Sequence, residues 1–107
     1  MAHTIVNETL PVVLQEIENV LADYPTYPYQ VAFSIEELRQ KLIAHVLSQI
    51  PNRYSVIEDT QESLRKSKFI KRSLEEQVRL ETLVRGSVLH LLRENADWVG
   101  HRIFPVI

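Results

Sequence analysis

The sequence predicts an all-α domain of three main helices, with one short strand after the second. Three observations predict it. Glycine is scarce, with only Gly86 and Gly100 in 107 residues, which argues against a turn-rich β protein. Two capping-box signatures, Ser34 with Glu37 and Ser73 with Glu76, each open an apolar run at helical spacing. Residues 53–58 alone combine a preceding helix stop with β-compatible side chains (Tyr54, Val56, Ile57).

The first helix is expected over about 8–23. Leu10, Val13, Leu14, Ile17, Val20 and Leu21 make one face, and Pro11 is tolerated because it falls in the first turn. The run from Tyr24 to Tyr29, with Pro25 and Pro28, reads as a stiff extended linker that packs over the core. The second helix covers about 35–50. Its face is Leu38, Leu42, Ile43, Val46, Leu47 and Ile50, and Phe33 and Leu38 have hydrophobic-staple spacing around the Ser34 cap. Pro51 biases Ile50 out of the α region and stops the helix. Residues 59–72 carry no clear periodicity, although Asp59 and Glu62 could cap one turn. The third helix starts after Ser73 and is expected to reach about Trp98, with Glu75 and Glu76 at the positive end of its dipole. The apolar tail from Ile103 to Ile107 is expected to dock on the body.

At this length the chain is one domain, residues 1–107. The absence of cysteine excludes disulfides and thiolate metal sites and agrees with a reducing, cytoplasmic setting. No apolar run is long enough to span a membrane, and the N-terminus has no signal-peptide pattern. The net charge of −2 hides an asymmetry. Residues 1–38 hold no Lys or Arg, whereas five of the 12 basic residues fall in 65–72: Arg65, Lys66, Lys68, Lys71 and Arg72. The overall balance does not suit a duplex nucleic-acid binder.

The third helix is apolar around more of its cylinder than one domain needs. Leu80, Leu83, Val84, Val88 and Leu91 fill one face, and Leu74, Val78, Leu89 and Leu92 widen it. The expectation is a homodimer whose interface includes Val78, Val88, Leu89 and Leu92. A lone short strand needs a partner, so residues 53–57 are expected to pair with the same segment of the second subunit.

Candidate binding residues are the basic cluster Arg65, Lys66, Lys68, Lys71 and Arg72, joined by Arg53, Tyr54 and Glu58. Arginine binds phosphate bidentately and stacks on or hydrogen-bonds to purines, and Glu58 could accept from a guanine edge. Should the cluster be solvated loop charge instead, Arg53, Arg79 and Arg85 are the next cationic set. His3, His45, His90 and His101 lack ligand spacing, so no metal is expected. His90 is placed on the solvent side of the third helix. No nucleophile elbow or phosphate-binding glycine loop occurs, so the chain is expected not to be an enzyme and to need no cofactor.

Asn7-Glu8, the block Val46-Leu47-Ser48-Gln49-Ile50-Pro51-Asn52-Arg53-Tyr54 and the helix from Leu74 together resemble the ComFB, or late competence development, family. That family carries an early N-x-(M/L)-E, then an L-N-x-L-P-P-x-Y block, then a polar connection and a long helix. The resemblance covers roughly residues 5–93. Asn52 stands where the family has a second proline and Ser48 where it has asparagine. No cysteine cluster is present, so a zinc site is not carried over. The resemblance implies a bacterial, cytoplasmic signalling protein, a homodimeric receptor for a cyclic dinucleotide such as c-di-GMP or c-di-AMP. The alternative is a helical adaptor that binds an unidentified protein and no nucleotide.

Overall fold

The computed structural model describes residues 3–58 and 73–103. In order these form β1 (His3–Asn7), α1 (Thr9–Ala22), α2 (Glu36–Ser48), β2 (Tyr54–Glu58), α3 (Leu74–Glu94) and α4 (Ala96–Ile103). A single wide turn of π-helical type, Thr26–Gln30, lies between α1 and α2.

Helices α1, α2 and α3 each pack against the other two. The spacing of their apolar residues explains why. Val13, Ile17 and Val20 on α1, Leu38, Leu42 and Val46 on α2, and Leu80, Val84, Val88 and Leu91 on α3 recur at i+3 or i+4 and meet in one core. Ala32, Phe33 and Val99 of α4 join this core. A fully buried Leu or Phe contributes about 1.5–3 kcal/mol, so this cluster dominates the stability of the chain.

The two capping boxes have different outcomes. Ser73 Oγ accepts from the Glu76 backbone N–H at 3.1 Å and caps α3, as expected. Ser34 does not cap α2. The first-turn flank there is Ile35, with no side-chain cap, and Ser34 Oγ donates to the Val31 carbonyl at 2.6 Å. The reason lies upstream. The backbone continues in helical turns through Phe33 and Ser34, whose N–H groups bond the Tyr29 and Gln30 carbonyls, so Ser34 ends one turn instead of starting the next helix.

The tyrosine–proline run is likewise folded, not extended. Only Tyr27 has extended angles inside the Thr26–Gln30 turn, and the Tyr27–Pro28 peptide is cis. The Tyr24 and Tyr29 rings stack at 4.6 Å between centroids. Gln30 Nε2 donates to the carbonyls of Leu21 and Tyr24, at 3.2 and 3.0 Å. Tyr24 and Tyr29 thus pack on the core, while Tyr27 is exposed.

The third helix ends at Glu94, short of the expected Trp98. Asn95 leaves the helical region, and its side chain donates to the Leu91 carbonyl at 2.8 Å, competing with continuation of the helix. The chain restarts as α4. Arg102 and Lys41 flank the Trp98 ring, 5.2 and 6.0 Å from its centroid, which ties α4 to α2.

The strand after α2 forms where the sequence places it, but its partner is β1 of the same chain. The pairing is antiparallel, with Ile5 opposite Val56 and Asn7 opposite Tyr54. β1 was not anticipated. Its run of Thr4, Ile5 and Val6 is β-branched throughout and suits a strand, but it is too short to show a period by itself. The residues expected at a dimer interface also divide. Val88 is fully buried in the chain's own core and Leu92 packs against that core, so both serve the single subunit. Val78 and Leu89 are exposed.

Candidate ligand cleft

The two motif blocks that are 45 residues apart in sequence meet in space. Asn7 Oδ1 accepts from the backbone N–H of Thr9 at 2.8 Å and of Leu10 at 3.2 Å, so it caps α1. The other side of the same amide donates to Asn52 Oδ1 at 3.1 Å. Asn52 Nδ2 in turn donates to the Leu47 and Ile50 carbonyls at 2.8 and 3.0 Å. The Leu47 carbonyl is one of the acceptors that the end of α2 leaves orphaned. Asn52 is therefore a C-terminal cap as well as a bridge.

Arg53 is fixed next. Its backbone N–H donates to Oγ1 of buried Thr9 at 2.8 Å, and its carbonyl accepts from Glu8 N–H at 2.7 Å. With the backbone held on both sides, the side chain stands on the rim of an open cleft of about 340 Å³. Ile50 and Pro51 from the end of α2 and Leu80 from α3 give the cleft an apolar floor. Arg53, Glu76 and Arg79 supply its polar groups. Arg79 bonds Glu75 at 2.7 Å, one turn away, with both side chains well exposed. Such a pair is worth a few tenths of a kcal/mol, so Arg79 is free to turn toward an incoming anion. The volume is at the lower end of small-molecule sites and suits one nucleotide-sized fragment.

Of the expected binding residues, Arg53 lines this cleft. Tyr54 is exposed on the strand beyond it and does not line the cleft, and Glu58 closes that strand. Arg65, Lys66, Lys68, Lys71 and Arg72 lie outside the described residues, as do Asp59, Glu62 and the tail 104–107. Glu76 and Leu80 were missed as site residues. Their i, i+4 spacing, with Arg79 between, is legible in the sequence, but nothing there brings them to Pro51.

Arg85 lies elsewhere. It bonds Asp23 at 2.8 Å, approaches Glu81 at 3.7 Å and covers the Tyr24 ring at 5.8 Å. Hydrogen bonds to Asp23 and then to Tyr24 hold its proton more tightly than usual. On the same side, burial and then the nearby Glu81 push the Glu16 carboxyl above the usual carboxylate range. This cluster pins the tyrosine turn to α3.

His90 is exposed as expected, but its ring lies 5.4 Å from that of His45 across α2 and α3, a proximity the sequence does not reveal. Among the described residues no group of three His, Cys, Asp or Glu side chains could hold a metal ion. Nor is any helix among them long and apolar enough to cross a membrane. No family model matches the chain, and no curated protein or solved structure matches it either.

Proposed function

We propose that this chain is a ComFB-like, non-enzymatic signalling protein of the cytoplasm, a homodimer that binds a cyclic dinucleotide. The observation that carries the reading is the cleft itself. It sits at the junction of the two motif blocks and joins two guanidinium groups to an apolar floor. A nucleotide offers the matching pair of features, a phosphate for the arginines and a flat base for the floor. Glu76 adds an acceptor for the N–H groups of a base edge. The basic run 65–72 joins β2 to α3 in sequence.

The test is calorimetric titration of the folded protein with c-di-GMP and with c-di-AMP. Binding with an affinity near micromolar is expected for at least one of them. Each lost charge-assisted hydrogen bond costs about 1.5–3 kcal/mol, so Arg53→Ala with Arg79→Ala weakens binding at least a hundredfold. Charge reversal at Arg65 with Lys68 is expected to abolish binding with unchanged circular dichroism. Heat from neither nucleotide overturns the receptor reading. It would favour the second reading, an adaptor for a protein partner, which the exposed Ile5, Tyr54 and Val56 support.

A further inference from the structure

We infer that Glu76 reads the base and makes the cleft selective for guanine over adenine. This rests on the receptor reading above and narrows it from cyclic dinucleotides in general to those carrying guanine. The two neighbouring acids that open α3 have different fates. Glu75 pairs with Arg79 at 2.7 Å, whereas Glu76 lines the cleft with Arg53 and Arg79. Ser73 Oγ holds the Glu76 backbone N–H at 3.1 Å, which fixes the root of the side chain. Leu80 lies one turn further on, so Glu76 shares a face of α3 with part of the apolar floor. Among the described residues no cation pairs with the Glu76 carboxylate. A first-turn acid suits the helix dipole, but the dipole does not explain an unpaired carboxylate inside a cleft.

Such a group is a liability in a site that binds phosphate alone, because it repels the anion that Arg53 and Arg79 attract. It becomes an asset where the ligand also brings hydrogen-bond donors. An ionised carboxylate is acceptor-only, with two oxygens side by side. Guanine presents N1–H and N2–H as adjacent donors, which meet two oxygens in the same fork that a guanidinium uses. Adenine presents its N6–H donor beside the N1 lone pair, so one oxygen would face another acceptor. Cytosine repeats adenine's donor–acceptor pattern, and uracil has a single N–H between two carbonyls. The charges of the cleft then orient the ligand. Its phosphate goes to the guanidinium groups, its base to Ile50, Pro51 and Leu80, and the donor edge of that base to Glu76. A cleft of about 340 Å³ takes one such half of a cyclic dinucleotide.

Calorimetric titrations with c-di-GMP, c-di-AMP and cyclic di-inosine monophosphate test this. A good bidentate base contact discriminates roughly five- to 150-fold, so c-di-GMP should bind at least about tenfold tighter than c-di-AMP. Inosine keeps N1–H but lacks the 2-amino group, so its dinucleotide should fall between the two. Glu76→Gln presents one acceptor and one donor, the pattern that adenine matches. It should weaken c-di-GMP and tighten c-di-AMP, reversing the preference with unchanged circular dichroism. If Glu76 acted through its charge alone, its removal would change both affinities alike. A preference ratio unmoved by Glu76→Gln, or equal wild-type affinities for c-di-GMP and c-di-AMP, overturns the guanine assignment and leaves the receptor standing. No heat from any of the three overturns the receptor reading, and the assignment falls with it.

Discussion

The three-helix core and the end of the molecule that holds the cleft satisfy their apolar residues in different ways. In the core, Val13, Ile17, Phe33, Leu38, Leu42, Val46, Val84 and Val88 are all essentially removed from solvent by the chain itself. At the cleft end, Ile5, Tyr54, Val56, Leu74 and Val78 keep more than half of their surface exposed. The polar groups differ in the same sense. Asn7, Thr9 and Asn52 are consumed in holding the junction, yet among the described residues no carboxylate pairs with Arg53 and no cation with Glu76. One region is finished as a scaffold. The other is built to a defined geometry and left open, which is how a binding surface differs from a core.

Substitutions sharpen this contrast. The largest effect is expected in the core, where Leu42→Ala should cost about 2–5 kcal/mol in urea unfolding through lost transfer energy and a cavity. Tyr54→Ala at the cleft end should cost no more than about 0.5 kcal/mol per subunit under conditions where the chain is monomeric. Equal losses would erase the distinction between the two regions. Next comes the junction. Thr9→Val leaves the part-buried Arg53 N–H without its acceptor and should cost about 1 kcal/mol, and the loosened Arg53 should bind ligand less tightly. Ser73→Ala should then cost about 1 kcal/mol as the loss of a true N-cap, whereas Ser34→Ala, outside any cap, should stay within about 0.5 kcal/mol.

The smallest effect is that of pH on Glu16. Its folded-state carboxyl holds a proton more readily than the unfolded one, because burial and Glu81 disfavour the charge. The group's contribution to stability is therefore present at acidic pH and lost as the pH rises through the folded value. Glu16→Gln should gain a few tenths of a kcal/mol near neutral pH. The gain should vanish near pH ~3, where a carboxyl is protonated in both states. Denaturant titrations at the two pH values check it, and an equal gain at both would contradict the assignment.

What the sequence discloses follows from how local the determining force is. The three helices were legible because their apolar residues repeat at i+3 and i+4, and the Ser73 cap because its partner is three residues away. The strand 54–58 was legible from its composition and from Pro51. Its partner was not, since the pairing of β1 with β2 is set by contacts across 45 or more residues. The failure at Ser34 has the same origin: whether a serine caps depends on the backbone before it, here a turn organised by Gln30 and the stacked tyrosines. Val88 and Val78 fall on neighbouring parts of one broad apolar arc, and only the positions of α1 and α2 decide which enters the core. At the site, Arg53 was readable because it follows a helix stop, whereas Glu76 and Arg79 join it through the packing of α2 on α3.

The central claim is that the cleft end binds the ligand and the helical core merely supports it. Amide chemical-shift mapping during a titration with c-di-GMP, repeated with c-di-AMP, tests this most directly. The amides of Ile50, Asn52, Arg53, Glu76, Arg79 and Leu80 are expected to move together and saturate, while those of Val13, Ile17 and Leu42 stay in place. Saturating shifts centred on the Asp23, Tyr24 and Arg85 cluster, with the cleft unmoved, would contradict it.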